Sequence, residues 1–155
     1  MNFNDINLSN EIVQAIQDMG FTEMTEIQYK SIPLLLQGKD VIGRSNTGTG
    51  KTVAFGIPAI MNIHQDDCQD VKTLILCPTR ELAIQCCDEI KKLSKYMKWI
   101  KPCVVYGGAS MENQIRQLKR GANVIVGTPG RVIDHINRRT LKLGCLSCII
   151  LDEAD

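Results

Sequence analysis

Ser45-Asn46-Thr47-Gly48-Thr49-Gly50-Lys51-Thr52 follows the apolar run Asp40-Val41-Ile42-Gly43 and leads into a helix-like segment that begins near Lys51. Glycines at 48 and 50 let the backbone fold tightly enough for successive N–H groups to point inward. Lys51 adds a positive charge aimed at outer phosphates, and the Thr52 hydroxyl is placed to coordinate magnesium. A helix starting here turns its positive end toward the same anion. The stretch reads as a phosphate cradle, although Ser45 stands where the pattern G-x-x-x-x-G-K-[ST] has glycine. A Gly/Thr-rich surface turn is the competing reading, and the strand before and helix after favour the cradle.

Outward from the cradle, short apolar runs alternate with helix-length amphipathic stretches. The runs are 40–44, 73–77, 103–106, 123–127 and 148–151. Val, Ile, Leu and Cys without polar alternation suit strands buried on both faces, and the intervening helices imply parallel crossovers. The predicted architecture is a doubly wound parallel α/β sheet. Residues 62–72 are polar and are expected to form a solvent loop, with His64 at the surface. His135, on a helix predicted over 129–139, is given the same surface reading.

On the N-terminal side, Ser9 caps a helix with Leu8 and Val13 as its hydrophobic staple, and Gly20 ends it. Thr25 caps a second helix, where Gln28 can bond back to the Thr25 backbone N–H as a capping box. Pro33 is tolerated there only with a kink or a helix end.

The chain has 155 residues, 44% hydrophobic and 23% charged, the balance of one soluble domain with a sizeable core. A net charge of +1 gives no global basic field, so a nucleic-acid site would have to be a local array of donors. Seven cysteines, an odd number behind a start that lacks signal-peptide character, are read as reduced and cytosolic. Cys145 and Cys148 have metal-ligand spacing without a second pair, and Cys86 and Cys87 read as packing. No apolar stretch approaches the ~20 residues that cross a bilayer, so an integral membrane protein is excluded by this reading.

In a parallel sheet the loops leaving the carboxyl ends of the strands share one edge, where ligands bind. On that edge the sequence places Pro78-Thr79-Arg80, then Gly107-Gly108-Ala109-Ser110, then Thr128-Pro129-Gly130-Arg131. Thr79, Ser110 and Thr128 read as helix caps, with Pro129 at the first helical position. Each alone is ordinary capping. Together, with Arg80 and Arg131 beside two of them, they suit a row of phosphates gripped by backbone, while surface salt bridges remain the alternative for both arginines. The Lys91, Lys95 and Lys98 face reads as solvated, and Trp99 as packing. The run 149–151 ends in Asp152 and Glu153, which places Asp152 beside the magnesium held by Thr52 and Glu153 within reach of an attacking water.

These residues resemble the first RecA-like domain of the DEAD-box ATP-dependent RNA helicases across essentially the whole chain. Residues 20–28 with Phe3 resemble the family's Q motif, and 45–52 its phosphate loop. Residues 78–83, 107–108 and 128–131 resemble its RNA-backbone motifs, and 152–155 its signature. The resemblance implies ATP and Mg2+ as cofactors and RNA as a partner held without reading sequence. It implies adenine read by Gln28 with Phe21 near the base, phosphates held by residues 45–52, and catalysis by Lys51, Asp152 and Glu153. It assigns magnesium to Thr52 and Asp152, and RNA to Pro78, Thr79, Arg80, Gly107, Gly108, Thr128, Gly130 and Arg131. Residues 1–39 then form the Q-motif region and 40–155 a partial RecA-like domain of a cytoplasmic enzyme. A serine-alanine-threonine strand and a second RecA-like domain with the arginine finger are missing. Without that central strand two buried edges are left unpaired, and the 155-residue piece is expected to be marginally stable and nearly inactive alone. A DNA-directed helicase and a non-catalytic binding fragment are the rival readings. A GTPase is disfavoured because no Asn-Lys-x-Asp motif occurs.

Overall fold

The computed structural model describes the chain except Thr47, Thr49, Asp67, Ala154 and Asp155. The chain forms two compact units, residues 1–64 with 89–98, and residues 65–88 with 99–155.

The first unit contains α1 (Asn10–Asp18), α2 (Glu26–Leu36), α3 (Lys51–Met61) and the C-terminal part of α4 (Arg80–Leu93). The Ser9 hydroxyl accepts from the Ile12 N–H and starts α1 as expected. The helix stops where Gly20 takes a left-handed φ of 80° and the Phe21 N–H donates to the Ile16 carbonyl. Pro33 lies inside α2, which continues to Leu36. α2 and α3 pack on each other. Ile12, Ile16, Ile32, Ile57, Ile60, Ile90 and Leu93 are fully buried in this unit. Gly56 is the close-approach point: a Cβ there would come within 2.9 Å of the Ile90 and Leu93 methyls.

The second unit is a parallel sheet of β1 (Thr73–Leu76), β2 (Pro102–Val105), β3 (Val124–Gly127) and β4 (Cys148–Leu151), in the order β2-β3-β1-β4. Thr73 pairs with Val124 on one side and Cys148 on the other. Crossovers run through α4, α5 (Met111–Lys119) and α6 (Pro129–Asn137), so the parallel α/β expectation holds. Leu74, Val105, Ile125 and Val132 centre the core. Gly127 admits no side chain, because a Cβ would meet Val132 at 2.6 Å and Val105 at 2.7 Å. Among the described residues no helix is long and apolar enough to cross a membrane.

Several expectations are corrected. Residues 40–44 are not a strand, because a strand exists only as part of a ladder and none of the described residues pairs with this run; Ile42 is 96% exposed. β4 is an edge strand on which Ile149 and Leu151 stay exposed, at 57% and 60%. The cysteines are not all thiols: Cys68 and Cys145 form a disulfide, with Cα atoms 6.7 Å apart across the lead-ins to β1 and β4. Cys86 and Cys87 are buried, as packing requires. Among the described residues 62–72 carry no helix or strand and His64 is exposed as expected, but Ile63, Val71 and Lys72 are buried, so the segment is not wholly a solvent loop. His135 is not at the surface; it is fully buried at 0% exposure.

Candidate nucleotide and nucleic-acid sites

The cradle belongs to the first unit. Gly48 and Gly50 both adopt the left-handed region, at φ 83° and 81°, a conformation that costs glycine nothing. Gly50 is the N-cap of α3 and, being glycine, makes no side-chain cap bond; Lys51 is the first helical residue. Lys51 and Thr52 are half-buried, as is Ser45, while Asn46 and Gly48 are exposed. Thr47 and Thr49 lie outside the described residues.

Gln28 is 3% exposed, and both ends of its amide are committed locally. Its Oε1 accepts from the Thr25 N–H at 2.9 Å, which is the capping bond read from the sequence. Its Nε2 donates to the Gly50 carbonyl at 3.1 Å, and the same carbonyl accepts the first helical bond from Ala54 at 3.1 Å. The Gln28 amide therefore pins the last glycine of the cradle to the start of α2. Phe3 is buried and Phe21 is 41% exposed.

The second unit carries the other motifs at the carboxyl ends of its strands. After β1, the Thr79 Oγ1 accepts from the Leu82 N–H at 3.2 Å, and Pro78, Thr79 and Arg80 are exposed. The Arg80 guanidinium lies 5.3 Å from the centroid of the Tyr106 ring, a cation–π approach. A Cβ on Gly108, whose φ is 84°, would come within 3.7 Å of the same guanidinium. After β2, Ser110 accepts from the Asn113 N–H and caps α5. After β3, Thr128 occupies the N-cap position with Pro129 behind it, but its hydroxyl makes no cap bond, contrary to expectation; only its backbone carbonyl accepts, from Val132. Arg131 is turned inward, its side chain 13% exposed. Its Nη1 donates to the Ala109 carbonyl and to Gln114 Oε1, both at 3.3 Å. The loops holding Arg80, Gly107-Gly108 and Arg131 are thus brought together.

At the end of β4, the Asp152 N–H donates to the Leu76 carbonyl at 2.9 Å, and its carboxylate lies 3.9 Å from the Cys77 sulfur. Glu153 follows, exposed and at φ 54°, in the left-handed region. The hydrogen bond with Cys77, followed by burial, pushes the Cys86 thiol up, so Cys86 stays protonated. Sequence reading missed Tyr106, Gln114 and His135. The one signal for them was a polar Gln114 and His135 on helices flanking the Gly107-Gly108 turn.

A glycine-rich loop feeding a helix N-terminus in one unit, and in the other a parallel sheet whose strand ends carry arginine, glycine and acid, define a RecA-like phosphate-loop α/β protein. The chain belongs to the DEAD/DEAH box helicase family, which matches residues 25–155. It is 53% identical over 153 residues to the ATP-dependent RNA helicase CshA of Listeria monocytogenes, covering 99% of this chain and 29% of that protein. It is 52% identical to the DEAD-box ATP-dependent RNA helicase CshA of Geobacillus kaustophilus, covering 99% and 32%. The crystal structure of a DEAD box protein from the hyperthermophile Methanococcus jannaschii superposes with a TM-score of 0.92 at 48% identity, over all of this chain and 42% of that one. The chain therefore spans about a third of the curated relatives' length.

Proposed function

We propose that this chain is the nucleotide-binding part of an ATP-dependent RNA helicase that couples ATP hydrolysis to remodelling of RNA duplexes or RNA–protein complexes. The observation that carries this is the pair of left-handed glycines, Gly48 and Gly50, leading directly into α3 at Lys51. The residues fit magnesium-ATP in kind: a helix that starts at Lys51 behind a glycine N-cap, the Thr52 hydroxyl, and the carboxylates that end β4 are the donor types that phosphates and a hard cation require. When bound, magnesium-ATP supplies the bond to be cleaved and a cation that offsets its charge.

Lys51 and the backbone amides of 45–52 hold the phosphates, while Thr52 and Asp152 offer oxygens to magnesium, directly or through water. Glu153 would orient the attacking water or take its proton. Gln28, held by Thr25 and Gly50, keeps one amide N–H and one lone pair to read adenine, with Phe21 beside the base. Pro78, Thr79, Arg80, Gly107, Gly108, Thr128, Gly130 and Arg131 form the surface that holds RNA phosphates without reading bases. A second RecA-like domain supplies the arginine finger.

The test is a chimera in which residues 1–155 replace the matching segment of the Listeria relative. ATP hydrolysis stimulated by RNA and not by DNA, and lost in Lys51→Ala, is expected. Equal stimulation by DNA would favour the DNA-directed reading, and no hydrolysis from a folded chimera would favour a non-catalytic fragment.

A further inference from the structure

His135 sits on α6 with no exposed surface, and both ring nitrogens are bonded: Nδ1 lies 2.8 Å from Thr140 Oγ1 and Nε2 lies 2.8 Å from Gln114 Oε1. The roles are fixed by Gln114. Its amide nitrogen donates to the Tyr106 carbonyl at 2.9 Å, so its oxygen must be the atom that faces His135 and Arg131. A carboxamide oxygen only accepts. His135 therefore carries a proton on Nε2, while the single proton of the Thr140 hydroxyl is shared between Nδ1 at 2.8 Å and the His135 backbone carbonyl at 3.1 Å.

This network reaches the glycine turn from both sides. Gln114 holds the carbonyl of Tyr106, the residue before Gly107, and Arg131 holds the carbonyl of Ala109, the residue after Gly108. Gly107 and Gly108 are themselves exposed and Gly108 is left-handed, with the Arg80 guanidinium against Tyr106 on one side. The two flanking carbonyls are held by Gln114 and Arg131, which meet at the Gln114 oxygen. A leucine at 135 would fill the same space without a donor. The histidine adds a directional bond that holds the Gln114 oxygen at the point where Arg131 meets it.

We propose that His135 is a positioning residue for the nucleic-acid surface, acting through Gln114 to set the Gly107-Gly108 turn and Arg131. The inference rests on the RNA reading above, and neither His135 nor Gln114 touches the ligand.

The test compares His135→Gln, His135→Asn and His135→Leu in the chimera with the Listeria relative described above. Glutamine can place an amide nitrogen near the position of Nε2 and keep the donor to Gln114; asparagine reaches only the Thr140 side, and leucine keeps volume alone. Binding of a fluorescein-labelled single-stranded RNA is measured beside a thermal melt, with Arg80→Ala as the control. The leucine and asparagine variants are expected to bind RNA roughly fivefold more weakly than wild type, the glutamine variant to bind close to it, and the order to be independent of melting temperature. The His135 ring 15N signals at pH 7 should show a neutral ring protonated at Nε2. RNA affinities that are equal in all variants, or that follow the melting temperature alone, would overturn the proposal, as would a proton on Nδ1. If Arg80→Ala weakens binding while the His135 variants do not, only the positioning role fails. If the folded chimera without a His135 substitution binds no RNA, the RNA reading fails and takes this inference with it.

Discussion

The side-chain amide of Gln28 donates to the backbone carbonyl of Gly50 at 3.1 Å, which joins the start of α2 to the last glycine of the phosphate cradle. One side chain thus performs the local capping bond to Thr25 and a bond across the sequence to the cradle. Gln28→Ala removes both, leaving the Thr25 N–H without this partner and the Gly50 carbonyl with the Ala54 N–H alone. We expect a loss of about 1–2 kcal/mol in chemical denaturation together with weaker nucleotide binding. Unchanged stability would mean that neither bond matters in solution.

Gly48 and Gly50 share a left-handed backbone but differ in surroundings. A Cβ at Gly48 meets nothing within 4 Å, whereas one at Gly50 would overlap the Gln28 amide nitrogen. Gly48→Ala should therefore cost about 1 kcal/mol from backbone strain alone. Gly50→Ala should cost more, and adding Gln28→Ala should return part of the excess, a non-additivity read from a double-mutant cycle.

The turn chemistry around the cradle was legible in the sequence because it is local: Ser9, Gly20, Thr25 with Gln28, and the glycines of 45–52 act on neighbours a few residues away. β1 and β3 were legible because a buried parallel strand is apolar throughout, and β2 and β4 share that apolar run although β4 is an edge with Ile149 and Leu151 exposed. Residues 40–44 have the same composition, yet composition reports burial and not the presence of a partner strand, so Val41 and Ile42 were misread. His135 was misread because its polarity is satisfied by Gln114, 21 positions earlier in the chain. The Cys68–Cys145 bond spans 77 positions, a separation at which spacing carries no pairing information.

Burial, and then the charges of Arg131 and Arg138, hold His135 below its ordinary value, with Asp134 opposing them. The sign follows. At pH well above the ordinary 6.5 the ring is neutral in both folded and unfolded chains and contributes no pH dependence. As pH falls below that value the unfolded chain takes up the proton first, so stability declines down through the folded pKa and levels off beneath it. A urea midpoint that drops between pH 7 and pH 5 (about the range a histidine covers) should become flatter in His135→Leu. An identical slope in the variant would assign the effect to other groups.

Cys77, Cys86, Cys87 and Cys103 are buried, while Cys148 is half-buried. Alkylation of the native, unreduced chain should modify Cys148 first and leave Cys86 among the slowest, since its thiol is held protonated. Peptide mapping should recover Cys68 and Cys145 as one linked peptide. Rapid labelling of both without a reductant would contradict the bridge.

The central claim is that residues 45–52 bind the phosphates of ATP, and the most direct measurement is an amide 15N–1H titration of the chain with magnesium-ATP. We expect the Gly48, Gly50, Lys51 and Thr52 amides and the Gln28 side-chain amide to shift together, with Lys51→Ala abolishing the response. Magnesium-ATP that leaves these amides unmoved, or moves a different set, would contradict the account.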